Sequence, residues 1–340
     1  MRLLIWGAGA IGGTVGAYFV RAGHDVMFVD VARDHVKTIN EHGLKISGPI
    51  EEFRVTAQAH MPDALTGQWE TILLCTKAQH TEAATRALLP CLSKDGYVVS
   101  VQNGLNELLI SELVGEARTV GSFVNFGADY LEPGHIHYGG RGAVVLGELN
   151  GEMSDRLEHL HSLFLSFDDK AVTTSNIWGY LWGKMAYGAM LFATALTNDS
   201  IADALAHPAY REIFSELARE VMRVALAKGV TPEGFNGFNP NAFLPEASEE
   251  DAVKSLDEMV AFNRKSAKTH SGIWRDLAVR KRTTEVDAQP GMVVQVAKSL
   301  GVEVPLTEAV VKLIHDIERA LDLANLEHLK SIFKEHYANA

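Results

Sequence analysis

Three groups of residues in this chain could do chemistry. The first is Gly7-Ala8-Gly9-Ala10-Ile11-Gly12, lying between an apolar strand pattern, Leu3 to Trp6, and a helical pattern that runs to Ala22. A Gly-x-Gly-x-x-Gly run in that position turns backbone N–H groups toward a pyrophosphate. Gly7 permits the tight turn, Gly9 lets the backbone approach the phosphates and Gly12 lets helix and strand pack closely, with Ala10 and Ile11 opening the helix between them. Asp30 ends the next strand pattern, Asp25 to Val29. A carboxylate there accepts hydrogen bonds from ribose hydroxyls and repels a 2′-phosphate, which favours NAD; Arg33 close behind could pair with a phosphate and keeps NADP open.

The second group is Lys77 and Asn103. Each follows an apolar strand pattern, Thr71 to Thr76 and Tyr97 to Gln102, at the carboxyl edge where open α/β sheets bind ligands. Asn103 can both donate and accept, as a nicotinamide ribose or carboxamide requires. The blander readings are an Asn favoured at a turn before Gly104, and a solvated Lys. The third group is Lys184 and Glu285. Lys184 interrupts the most apolar helical pattern of the chain, Tyr180-Leu181-Trp182-Gly183-Lys184-Met185-Ala186-Tyr187. A lysine there either snorkels to water or faces a cleft, where a partly desolvated ammonium can deliver the proton that ketone reduction needs. Glu285 begins another helical pattern, where an acid also suits the positive helix end. Their separation in sequence does not by itself pair them.

The elements that must position these residues fall into two grammars. Up to residue 172, short strand patterns alternate with helical ones at Asp34–His42, Thr81–Leu89 and Glu107–Leu113, which predicts βαβ units and a doubly wound parallel sheet. Two further strands, His135–Tyr138 and Ala143–Leu146, flank Gly139-Gly140-Arg141-Gly142 and read as a hairpin closing the far edge; Ser154–Phe167 reads as a closing helix. From 173 to 340 the patterns are amphipathic helices: Ile177–Leu196, Tyr210–Lys228, Ala252–Lys268, Val286–Leu300, Leu306–Leu321 and Leu326–His336. The plan is a Rossmann-like dinucleotide-binding domain followed by an all-α substrate and dimerisation domain, with the active site expected in the cleft between them.

Composition narrows the partners. The chain has 340 residues, 47% of them hydrophobic, and a net charge of −12, which argues against nucleic acid while leaving room for a locally positive pocket. No run approaches the roughly 18 apolar residues of a membrane span. Cys75 and Cys91 form no CxxC pattern and read as reduced thiols of a cytoplasmic protein. His135 and His137 share a strand face, but no third ligand accompanies them, so no metal site is expected.

Taken together, Gly7-x-Gly9-x-x-Gly12, Thr76-Lys77-Ala78, Gln102-Asn103-Gly104, Pro133-Gly134, Leu181-Trp182-x-Lys184 and Thr284-Glu285-Val286-Asp287 with Gly291 resemble the ketopantoate reductase (2-dehydropantoate 2-reductase) family over nearly the whole chain. The resemblance implies an NAD(P)-dependent reduction of a small 2-oxo acid; the helical domain, expected to be of the 6-phosphogluconate-dehydrogenase-like type, offers surfaces for a homodimer. It implies that Lys184 is the general acid, that Glu285 contacts the substrate, that Lys77 and Asn103 line the cofactor and substrate cleft, and that Ser271 binds substrate. Family members carry asparagines one and two turns after the lysine; this chain has Gly188 and Phe192 there. Losing two hydrogen-bonding anchors changes selectivity more than reaction type, so a 2-oxo acid other than ketopantoate is favoured. The basic run Arg280-Lys281-Arg282 reads as a solvated loop, and Asp276 as a structural cap. Ketopantoate reduction itself, an opine-type dehydrogenase and a cofactor-binding sensor without turnover are the competing readings.

Overall fold

Leu3, Leu4, Ile5 and Trp6 are all buried, so strand β1 (Arg2–Trp6) is covered on both faces, as the central strand of a parallel sheet must be. The two faces are chemically separate. Leu3 and Ile5 join one apolar cluster, Leu4 and Trp6 another, as the two-residue period of a strand dictates. The structure, a computed structural model, describes residues 2–235, 237–265, 269–320 and 326–337. It divides into two units, Met1–Ile177 and Trp178–Ala340.

In the first unit β1 leads through α1 (Ala10–Arg21) to β2 (Asp25–Val29) and α2 (Arg33–His42). Three short strands follow: β3 (Leu44–Ser47), β4 (Phe53–Val55) and β5 (Gln58–His60). Then come β6 (Trp69–Leu74), α3 (Thr81–Leu88), β7 (Leu92–Ser100), α4 (Asn106–Val114) and β8 (Thr119–Val124). The unit ends with β9 (Gly127–Glu132), β10 (His135–Gly140), β11 (Val144–Glu148), α5 (Asp155–Phe164) and β12 (Val172–Thr173).

The main sheet has the order β12-β11-β8-β7-β6-β1-β2-β5, and only the β11–β8 pair is antiparallel. Chain order runs outward on both sides of β1: toward β2 in one direction and toward β6 in the other. The switch point therefore lies at the carboxyl ends of β1 and β6, where such sheets bind ligands. One face packs against α1, α5 and a second sheet of order β4-β3-β10-β9; the other packs against α3 and α4.

The expected hairpin across Gly139–Gly142 does not form. β10 belongs to the second sheet, pairing with β9 and β3, whereas β11 pairs with β8 in the main sheet. The glycines carry the chain from one sheet to the other past the end of β8: a Cβ at Gly142 would stand 1.9 Å from the Asn125 carbonyl oxygen. The actual hairpin is β9–β10, turned by Pro133 and Gly134, whose φ is +71°.

The second unit is helical: α6 (Ile177–Thr194, beginning one residue before the unit boundary), α7 (Ile201–Ala206), α8 (Arg211–Ala227), α9 (Glu249–Arg264), the single turn α10 (Gly272–Trp274) running into a π turn at Arg275–Val279, α11 (Pro290–Leu300), α12 (Pro305–Ala320) and α13 (Leu326–His336). Buried α8 packs against α9, α11, α12 and α13. Its Glu220, with no exposed surface, accepts hydrogen bonds from the Leu306 and Thr307 amides, the Thr307 hydroxyl and the Tyr337 phenol, so it both caps α12 and ties down the end of α13. The expected end of the third helical pattern, Lys268, lies outside the described residues.

Candidate active site

The glycine loop is built from backbone contacts. Gly7, at φ +99°, donates its N–H to Val29 O at 2.7 Å, and Cys75 N donates to Trp6 O at 2.8 Å. A Cβ on Gly7 would lie 2.9 Å from the Cys75 carbonyl carbon and the Thr76 nitrogen; one on Gly12 would lie 2.1 Å from Gly7 O and 2.7 Å from Cys75 Cβ. Both glycines are thus required by the packing of loop and helix against the end of β6. Gly9 differs. A Cβ there would meet nothing within 4 Å, and α1 starts with no side-chain cap and no acid in its first turn. An open cradle over a helix N-terminus fits an anionic group, and the lone glycine that packing does not demand is the one over it.

Asp30 sits at the carboxyl end of β2, half-buried, and its oxygens accept from Ala8 N and Ala32 N, each at 2.9 Å. Each carboxylate oxygen keeps a second acceptor site, so tying the loop leaves capacity for a ribose hydroxyl. The fully buried His35 is a support that the sequence reading missed. Gly134 N donates to its Nδ1 at 2.9 Å, which leaves Nε2 to carry the proton and donate to Ala8 O at 2.8 Å. The imidazole therefore fastens the glycine loop to the β9–β10 turn. Its position on the apolar face of α2, beside Val36 and Ile39, was the only signal in the sequence.

Lys77 and Asn103, both half-buried, lie three positions past the ends of β6 and β7. The segments carrying them are knitted together. The Gln102 side-chain amide donates to Thr76 O (2.8 Å) and Thr81 Oγ1 (2.9 Å), Thr81 donates to Asn106 Oδ1 (2.9 Å), and Asn106 donates to Asn103 O (2.8 Å). Gln102, Thr81 and Asn106 are buried, so this network fixes the strand-end backbone at the switch point. A cavity of about 550 Å³ lined by Glu116, Glu148 and Arg156 lies at the opposite end of the sheet; Glu148 and Arg156 pair with each other there and serve structure.

In the second unit Lys184 is half-buried and is the only charged residue of α6. One turn on, a Cβ at Gly188 would meet only Gln289 Oε1, at 3.8 Å. Gln289 closes the turn that Glu285 opens, its N–H donating to Glu285 O at 3.0 Å. Gly188, one turn after Lys184 on α6, therefore faces the Gln289 end of the Glu285–Gln289 turn. The turn is clamped from α12. Glu318 accepts from Thr284 N (2.7 Å) and Thr284 Oγ1 (2.8 Å), and His315 bridges Glu318 (3.0 Å) to Asp287 (2.8 Å). Burial pushes the His315 imidazole down, but its bonds to Asp287 and Glu318 outweigh that and hold it above the ordinary histidine value.

The remaining expected residues divide. Ser271 is buried and caps α10, its Oγ accepting from Trp274 N at 3.1 Å and leaving the O–H proton to donate. Its segment is held just beyond α6, by Ile201 N to Thr269 O (2.9 Å) and by Trp274 Nε1 to Asn198 Oδ1 (3.2 Å). Phe192 has no exposed surface, so it sits in the packed interior. The basic run is exposed, as expected, but two of its side chains are anchored: buried Asp276 holds Arg280 at 2.9 Å and Arg282 at 2.8 Å, with Lys281 between them at φ +50°. Burial pushes the Cys75 thiol up, which suits a core residue and not a nucleophile. Among the described residues no group of three or more His, Cys, Asp or Glu could hold a metal.

Two family models match the chain: "Ketopantoate reductase PanE/ApbA" over residues 3–151, and "Ketopantoate reductase PanE/ApbA C terminal" over residues 176–318. The 2-dehydropantoate 2-reductase of Pyrococcus horikoshii is 28% identical over 312 residues, covering 90% of this chain and 94% of that one. The enzyme of the same name from Archaeoglobus fulgidus is 27% identical, covering 94% and 99%. A PanE/ApbA family ketopantoate reductase from Ralstonia eutropha superposes with a TM-score of 0.79 at 25% identity, covering 94% of this chain and 99% of that one. A D-mandelate dehydrogenase solved with NADH and anilino(oxo)acetate shares the fold, with a TM-score of 0.81 at 21% identity and coverage of 94% and 99%.

Proposed function

We propose a reaction from one premise: the chain belongs to the ketopantoate reductase PanE/ApbA family. It is an NAD(P)-dependent oxidoreductase acting on CH–OH groups. The reading its residues support best is reversible reduction of a small 2-oxo acid to the 2-hydroxy acid. A nicotinamide dinucleotide, when bound, supplies the hydride to the carbonyl carbon. Gly7, Gly9, Ala10, Ile11 and Gly12 hold its pyrophosphate through the N-terminus of α1, Asp30 takes the adenosine ribose, and Lys77 and Asn103 border the nicotinamide end. Lys184 Nζ gives its proton to the carbonyl oxygen in reduction and recovers it in oxidation, so one hydride and one proton balance the change. Glu285 orients the ammonium and the substrate, and Ser271 donates to the substrate. The negative charge of Asp30 sets NAD ahead of NADP. Gly188, placing no polar side chain one turn after Lys184, favours a 2-oxo acid other than ketopantoate. The 2-oxo acid analogue held by the D-mandelate dehydrogenase of the same fold is in keeping with that choice. We read the working form as a cytoplasmic homodimer, which light scattering checks.

The observation that carries this reading is the approach of Gly188, one turn after Lys184, to the Gln289 end of the Glu285–Gln289 turn. The test is turnover on a panel of 2-oxo acids with NADH and with NADPH. The expected result is NADH-linked reduction, fastest with an acid other than ketopantoate. Strong NADPH-linked activity on ketopantoate would refute both preferences, and cofactor binding without any turnover would refute the reaction.

A further inference from the structure

The turn opposite Lys184 carries one more polar group than the reaction above uses. Gln289 is half-buried. Its backbone closes the Glu285 turn, yet its side chain caps nothing at the start of α11 and makes no hydrogen bond within the described residues. A half-buried amide with two donors and an acceptor unspent among the described residues keeps its hydrogen-bonding capacity for whatever enters the space beside it. The place it occupies is specific. Among the described residues outside α6's own backbone, its Oε1 is the only heavy atom within 4 Å of where a Gly188 side chain would begin, so the absent side chain on α6 makes the room into which the amide reaches. Lys184 lies one turn before Gly188 on the same face, and Glu285 opens the turn that Gln289 closes.

We infer that the Gln289 side-chain amide is the polar anchor for the 2-oxo acid on this face, delivered from the Glu285–Gln289 turn across the gap at Gly188. The inference rests on Lys184 and Glu285 forming the reaction site. An amide offers N–H to a carboxylate or keto oxygen and its own oxygen to a hydroxyl, so one group serves substrate and product. Because it forms no bond to the other described residues, its hydrogen bonds to the acid are gained on binding without breaking any of those residues' bonds. Gln289 is in this sense a specificity-determining residue, and Gly188 is its necessary partner: any side chain with a branch at Cβ would press on the amide.

The test compares Gln289→Met with Gln289→Glu and wild type, using the best 2-oxo acid of the panel and NADH. Methionine keeps length and volume but removes the amide. The expected result for Gln289→Met is a KM for the acid raised about tenfold, the factor set by one lost hydrogen bond, with kcat little changed and NADH binding and melting temperature as in wild type. For Gln289→Glu a larger rise in KM is expected, because a carboxylate repels the substrate carboxylate. Gly188→Val should mimic Gln289→Met in KM while leaving NADH binding intact. If Gln289→Met shows the wild-type KM, the inference is wrong. A Lys184→Ala variant assayed alongside separates the two levels: if it retains kcat, the site itself is misassigned; if it loses kcat while Gln289→Met behaves as wild type, only the role of Gln289 falls.

Discussion

The glycine loop and the Glu285 turn solve the same problem, holding reactive groups in place, by opposite means. In the loop the working groups are backbone amides. Their positions follow from strand registry and from glycines that neighbouring backbone forbids to be anything else. In the turn the proposed working groups are side chains, Lys184 from α6 and Glu285 from the entry to α11, and a separate element, α12, clamps the turn through Thr284, Asp287, His315 and Glu318. A backbone site is coded by a short contiguous motif. A side-chain site is coded by packing among elements far apart in the chain, and tolerates substitution at the positions where a substrate is chosen.

That contrast breaks first at the glycines. Gly12→Val should destabilise the first unit by about 3 kcal/mol, because its Cβ would enter the space of Gly7 O and Cys75 Cβ. Gly9→Ala should leave the melting temperature near wild type and weaken cofactor binding about tenfold, or 1.4 kcal/mol. Calorimetry with a cofactor titration checks both. Equal loss of stability in the two variants would show that the cradle over Gly9 is packing space after all.

On the other side of the comparison, the His315 clamp gives a smaller and pH-dependent effect. The folded-state pKa of His315 is raised, so its contribution to stability is complete below the unfolded-state value and is lost as pH rises through the folded value. Thermal melts across that window should show a decline in wild type that His315→Asn lacks, amounting to less than about 1 kcal/mol for so accessible a network. A wild-type profile with no decline there would remove the clamp from the energetics of the turn.

What could be read from the sequence follows the same division. The strand, turn and helix around Gly7–Gly12, and the strand end at Asp30, were legible because these elements adjoin in sequence, so local pattern and local geometry coincide. The long helices of the second unit were legible from apolar periodicity. The approach of Gly188 to Gln289 was not, since nothing in either helical pattern records which face meets which. β3 and β4 of the second sheet, and β5 at the edge of the main one, were missed because they have three or four residues each, too few for alternation to register. Gly139–Gly142 misled because glycines that turn a hairpin and glycines that cross between sheets look alike in one dimension. His35 was hidden for a different reason: a buried imidazole that bridges two backbone groups differs from a surface histidine only by its neighbours in space.

The most direct test of the central claim is the turnover of Lys184→Ala in the absence and presence of a small primary amine, with NADH binding measured in parallel. The expected result is a kcat lower by about a hundred- to ten-thousand-fold, unchanged NADH binding, and partial recovery that rises with amine concentration. A variant that binds NADH and turns over near the wild-type rate without added amine would contradict the role of Lys184 as proton donor.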